Sequence, residues 1–121
     1  MALVASVVMA GASVAAQAEG DAQAGEAVFK KCAACHGVEA GKDKVGPSLH
    51  GVVGRKAGGA ESFKARYSAA MTGSGMTWDD ATLDKYLADP KAAIPGNKMS
   101  FVGLKDEKER QDVIAYLKKQ K

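Results

Sequence analysis

The chain has 121 residues, with 17 Lys and Arg against 14 Asp and Glu, a formal charge of +3 and 46% hydrophobic residues. That length makes one domain, with only a modest core to bury. Lysines dominate the cations, acids are interspersed, and no Arg-rich helix or interleaved aromatic patch appears, which excludes a nucleic-acid-binding composition.

In chain order, the first stretch reads as a leader. Ala2 to Ala18 carries no charge, is rich in Ala and Val, and closes on Ala16-Gln17-Ala18, a small-x-small cleavage pattern. Residues 1–18 are therefore expected to be a cleaved signal peptide, leaving 19–121 as one domain of about 103 residues in the periplasm. No Lys or Arg precedes the apolar stretch, so the pattern lacks a positive n-region. An uncleaved membrane anchor is the other reading, but the stretch is short and diluted by Ser6, Gly11 and Ser13.

A first helix is predicted over Asp21–Lys31, with Asp21 as N-cap and Val28, Phe29 and Cys32 on one face. It runs into Cys32-Ala33-Ala34-Cys35-His36, the pattern for covalent attachment of a c-type haem. Two thiols one helical turn apart can add across the two vinyl groups on one edge of the macrocycle, which leaves His36 under the ring as a proximal iron ligand. These are the only two cysteines, so no disulfide framework competes for them. Two other chemistries use such residues. A thioredoxin-like dithiol sits in a βαβ context, and no β-branched run precedes Cys32. A zinc site would need His50 as its fourth ligand, without finger-type spacing.

From Gly37 to Gly75 run about forty residues with nine glycines and almost no periodicity. A loop this long suits a chain wrapped around a rigid cofactor, with one short helical turn expected near Phe63–Ala70. A second helix is predicted over Asp79–Ala88, opened by a Thr77-x-x-Asp80 capping box, stopped by Pro90, and burying Leu83, Tyr86 and Leu87. A third starts at Asp106 with Asp106-x-x-Glu109 and continues to the C-terminus, with Val113, Ile114, Tyr116 and Leu117 as its stripe. Nothing reads as a strand. The fold class is all-α: three main helices and long Gly-rich loops around one haem.

From Gly20 onward the chain resembles the class I cytochromes c, both the mitochondrial kind and their short alphaproteobacterial periplasmic relatives. The blocks that carry the resemblance begin with Gly25, Phe29 and Cys32-x-x-Cys35-His36. They continue through Gly46-Pro47-x-Leu49-His50-Gly51, Gly54-Arg55-Lys56-x-Gly58 and Thr77-Trp78. The last are Tyr86-Leu87-x-x-Pro90-Lys91, Ile94-Pro95-Gly96-x-Lys98-Met99 and Ala115-Tyr116-Leu117. Two residues separate Phe29 from Cys32, which leans bacterial; Ala60–Ser74 matches poorly; Asn97 stands where many relatives carry Thr.

The resemblance implies a one-electron carrier with His36 and Met99 as the iron ligands. Pro95 and Gly96 put Met99 in a turn, while Met71, Met76 and His50 are rival ligands without that context. Thioether ligation and a buried haem both favour Fe(II), so a positive potential is expected. The Pro47 carbonyl is implied to orient His36, with Arg55, Tyr67 and Trp78 donating to the haem propionates. Tyr86 is placed near the Met99 sulfur, and Asn97 belongs to the same ligand shell. Lys31, Lys44, Lys91, Lys98 and Lys105 flank these motifs and are implied to steer docking onto acidic patches of membrane redox complexes. Lys98 is also the neighbour placed to replace Met99 at high pH.

Three functions remain at this point. The leading one is a monomeric, soluble periplasmic carrier, not an enzyme. It would pass electrons from a cytochrome b–c complex or dehydrogenase to a terminal oxidase or photosynthetic reaction centre. A peroxidase or gas-binding protein would need an open iron position. A zinc or dithiol module would carry no covalent haem.

Overall fold

The computed structural model describes residues 20–121, so the expected signal peptide lies outside it. Asp21 caps the first helix, α1 (Ala22–Phe29), by accepting from the backbone N–H groups of Gln23 and Ala24. Regular α-helix ends two residues short of the expected Lys31. The next bonds are of the tighter i−3 type, Lys31 N to Val28 O at 3.1 Å and Cys32 N to Phe29 O at 2.8 Å. The turns continue, His36 N reaching Cys32 O at 2.9 Å, and so present Cys32, Cys35 and His36 on one short coil.

The long loop is tied at its base rather than packed on itself. Lys56 and Thr77 form an isolated antiparallel bridge, flanked by Gly54 N to Trp78 O at 2.7 Å and Ala57 N to Met76 O at 2.8 Å. Thr77 is thereby withdrawn from the capping role expected of it, and Asp79 accepts from Thr82 N at 2.8 Å instead. The turn expected at Phe63–Ala70 divides into a 3₁₀ turn (Glu61–Arg66) and α2 (Ala69–Thr72), the latter capped by Ser68.

Helix α3 (Asp80–Ala88) ends before Pro90 as expected, but Pro90 also starts a helix. Its ring occupies the first position of α4 (Pro90–Ala93), where no N–H is needed, and Asp89 caps that turn. Helix α5 (Glu107–Lys118) is capped by Asp106. Glu109 does not close a reciprocal box; its carboxylate meets Lys31 Nζ at 3.3 Å.

Helices α1 and α5 cross in contact. A Cβ on Gly25 would lie 1.9 Å from Asp112 O, so only glycine permits this approach. The Phe29 and Tyr116 rings pack 5.2 Å apart beside the crossing. Asp112, 5% exposed, accepts from Asp21 N at 2.8 Å and pairs with Lys108 at 2.7 Å. On the other side, α3 is joined to α5 by Arg110 Nε to Asp84 at 2.8 Å and by Lys118 to Asp80. The core combines Phe29, Leu83, Tyr86, Val113, Ile114 and Leu117 of these helices with Val52, Trp78, Ile94 and Leu104 from the loops. Among the described residues no helix is long and apolar enough to cross a membrane.

Candidate haem site

One cavity of about 460 Å³ runs through the middle of this arrangement, within the size range of cofactor sites. Its walls are mostly apolar: Phe29, Leu49, Val52, Phe63, Trp78, Leu83, Leu87, Phe101, Val113 and Leu117. Cys32, Cys35 and His36 all reach it. His36 Nδ1 donates to Pro47 O at 2.8 Å, which fixes the ring and leaves Nε2 free as a ligand. Burial, partly offset by the Pro47 bond, holds the imidazole pKa below its ordinary value, so the ring is neutral near pH 7 and its Nε2 lone pair is free. A side chain at Gly46 could not coexist with that orientation, since its Cβ would sit 2.3 Å from His36 Cε1.

Met99 lines the same cavity. Gly96, at φ +88°, turns the chain between Pro95 and Asn97, and the Asn97 side chain then holds the backbone N–H of Met99 at 2.9 Å. Tyr86 Oη lies 3.8 Å from the Met99 sulfur. Burial pushes that phenol up to about 12, so it stays a neutral O–H donor toward the thioether. Of the rival ligands, Met71 also lines the cavity, whereas Met76 and His50 are not among its lining residues. His50 instead turns Nδ1 toward Val38 O at 3.1 Å.

Arg55 supplies the electrostatic feature of the site. Its Nη1 donates to Ser48 O at 3.1 Å and His50 O at 3.3 Å, yet the buried Nε has no partner among the described residues. A buried guanidinium N–H without an acceptor calls for an anion beside it. Tyr67 Oη accepts from Ala60 N at 3.2 Å, which leaves its hydrogen to donate. Trp78, 7% exposed, packs against Tyr86 with ring centroids 4.9 Å apart. Arg55, Tyr67 and Trp78 all line the cavity.

The five lysines divide. Lys31 and Lys98 stand on the cavity wall, while Lys91 and Lys105 line an open groove that shares Ser100 and Phe101 with it. Lys44 donates to Ala33 O at 3.0 Å, and Lys105 to Ala88 O at 2.9 Å. Sequence reasoning did not single out Phe63, Phe101 or Arg66 as wall residues. Arg66 lies 4.5 Å over the Phe63 ring and donates to Val45 O at 3.4 Å, beside the exposed Val45. Nothing in an aperiodic loop marks such residues in advance.

The Cytochrome c family model matches residues 22–121. Cytochrome c2 of Rhodomicrobium vannielii is 56% identical over 106 residues, 87% of this chain and 83% of that protein. Cytochrome c2 of Blastochloris viridis is 51% identical over 108 residues, 88% of this chain and 84% of its own. Among solved structures, cytochrome cH from Methylobacterium extorquens superposes with a TM-score of 0.77 at 54% identity, covering 82% of this chain and 98% of its own. This chain is a class I cytochrome c. Its fold is the small all-α cytochrome fold, and its prosthetic group is one covalently attached haem c.

The residues present fit that group: an apolar cavity, two thiols and an oriented imidazole at its wall, and a half-buried cation whose buried Nε–H is orphaned. The dithiol reading loses its chemistry here. Burial and the neighbouring Cys35 push the Cys32 thiol up, opposite to the activated thiolate of a redox dithiol. Nor do three or more His, Cys, Asp or Glu cluster to hold a metal ion among the described residues.

Proposed function

We propose that this cytochrome is an exported, periplasmic, monomeric one-electron carrier in which His36 and Met99 ligate the haem iron. Cys32 and Cys35 hold the group covalently, and Arg55, Tyr67 and Trp78 receive its propionates. Electron carriage is the function of its cytochrome c2 relatives; the ligand pair and the partners are our reading. The observation that carries it is the convergence of the Cys32-x-x-Cys35-His36 coil and the Tyr86-supported Met99 on one apolar cavity.

The haem, when bound, supplies a one-electron Fe(II)/Fe(III) couple. The protein's part is to hold both ligands in place through redox change. Pro47 O and the tight approach of Gly46 keep the His36 ring in one orientation, and the Tyr86 hydroxyl withdraws electron density from the Met99 sulfur, which favours the reduced form. The half-buried Arg55 cation, with its buried Nε–H unpartnered, would lower the energy of adjacent carboxylates. The largely apolar wall disfavours the extra charge of the oxidised form. Among the described residues, the cavity wall carries no carboxylate, and His36 is its one imidazole.

For partners we propose a cytochrome b–c complex or dehydrogenase as donor and a terminal oxidase or photosynthetic reaction centre as acceptor. Lys31, Lys44, Lys91, Lys98 and Lys105 would meet acidic patches on them. Stopped-flow reduction by a purified cytochrome b–c complex tests this at several ionic strengths. The bimolecular rate should fall steeply as salt rises; a salt-independent rate would contradict the docking role.

A further inference from the structure

Asn97 is a buried polar residue, 7% exposed, inside an otherwise hydrophobic corner between α4 and the Met99 segment. Its carboxamide is committed on both sides. Nδ2 has two hydrogens, and they go to Pro90 O at 2.8 Å and Ile94 O at 2.8 Å. Oδ1 accepts from Met99 N at 2.9 Å. Pro90 O and Ile94 O belong to the first residue and the C-cap of α4, and the same turn is closed by Asn97 N to Ile94 O at 3.2 Å. One planar amide thus joins the carbonyls of α4 to the residue that carries the thioether.

We propose that Asn97 is the positioning residue for Met99: it anchors the thioether's backbone to α4, and it has no N–H left to offer the haem carboxylates. This deepens the reading of Met99 as the sixth ligand and rests on it. A threonine at this position has one hydroxyl hydrogen and can satisfy at most one of the two α4 carbonyls. Losing the bridge leaves Pro90 O and Ile94 O only their backbone partners, Ile94 N at 3.0 Å and Asn97 N at 3.2 Å, unties Met99 N from α4, and frees the 97–99 segment to swing away from the cavity. The fraction of molecules with an open sixth position then rises, and any external base that competes with the thioether binds more tightly in the same proportion.

The test is an imidazole titration of the ferric holoprotein, followed by loss of the absorption band diagnostic of methionine–iron ligation. Asn97→Thr and Asn97→Ala should each bind imidazole about tenfold more tightly than the parent. Should Asn97→Ala fail to fold, Asn97→Thr alone carries the test. Ile114→Val, placed in the core away from the cavity wall, lowers global stability and should leave imidazole affinity at the parental value. A parent protein without the methionine band defeats the Met99 assignment itself. A parent with the band, whose Asn97→Thr variant keeps parental imidazole affinity, overturns the Asn97 role and leaves Met99 standing. A merely structural Asn97 would make the two core variants behave alike, raising imidazole affinity in step with lost stability, and that result also overturns it.

Discussion

The α1–α5 crossing and the wall around the haem cavity are held together by different physics. At the crossing, Gly25 lets two backbones touch, Phe29 packs on Tyr116, and Asp112 takes the first N–H of α1's cap. Protein fills protein there. Around the cavity, a long loop, the 3₁₀ turn and the Met99 segment face a space of about 460 Å³ and are held by scattered hydrogen bonds to backbone. One region is complete as a polypeptide and the other is complete only with its prosthetic group.

The sharpest way to break that contrast is to prevent haem attachment. Without haem, a largely apolar wall around about 460 Å³ is open to water and the long loop loses the surface it packs on. A domain holds only about 5–15 kcal/mol in total, so losing that packing is decisive. The Cys32→Ala/Cys35→Ala chain, expressed without haem, should therefore lose most helical circular dichroism. A cooperative, native-like melt from that chain would show that the cavity wall does not need its filler. Next in size is Gly25→Val. A branched side chain 1.9 Å from Asp112 O forces α1 and α5 apart, at a cost of about 3 kcal/mol or more. Denaturant titration of the holoprotein should record it as a fall in midpoint, and an unmoved midpoint would rule out the close crossing.

Tyr86→Phe addresses the cavity side alone. The phenol, kept neutral by burial that pushes it up to about 12, stops donating to the Met99 sulfur. The sulfur then becomes a better donor to Fe(III). The potential should fall on the order of 50 mV, the equivalent of about 1 kcal/mol for one electron. Spectroelectrochemistry would register a rise or no change as evidence against that contact.

The smallest effect belongs to the crossing. The Lys108 ammonium and then the Asp21 N–H hold the Asp112 carboxyl below its ordinary range, so ionised Asp112 stabilises the fold. The contribution is complete above the ordinary carboxylate pKa and fades as pH falls through the lowered folded value. Stability of Asp112→Asn should consequently depend less steeply on pH below about 4; parallel acid limbs in the two proteins would argue against the linkage.

What the sequence revealed follows the same division. The three longer helices were legible because apolar spacing and an N-capping aspartate recur in each, at Asp21, Asp79 and Asp106. The capping boxes were less legible, since Thr77 was taken by the bridge to Lys56 and Glu109 by Lys31. α4 was hidden because Pro90 reads as a stop, although it is equally a first helical residue. At the site, Cys32, Cys35 and His36 are adjacent in the chain and announce their chemistry. Phe63, Phe101 and Arg66 reach the wall only through turns that no periodicity encodes.

Optical spectra of the purified protein, taken ferric, ferrous, and ferrous under carbon monoxide, test the central claim most directly. A ferric band diagnostic of methionine–iron ligation, with ferrous spectra unmoved by carbon monoxide, is the expected result for a closed His36/Met99 site. Ready carbon monoxide binding without the methionine band would contradict it and leave Met99 an ordinary loop residue.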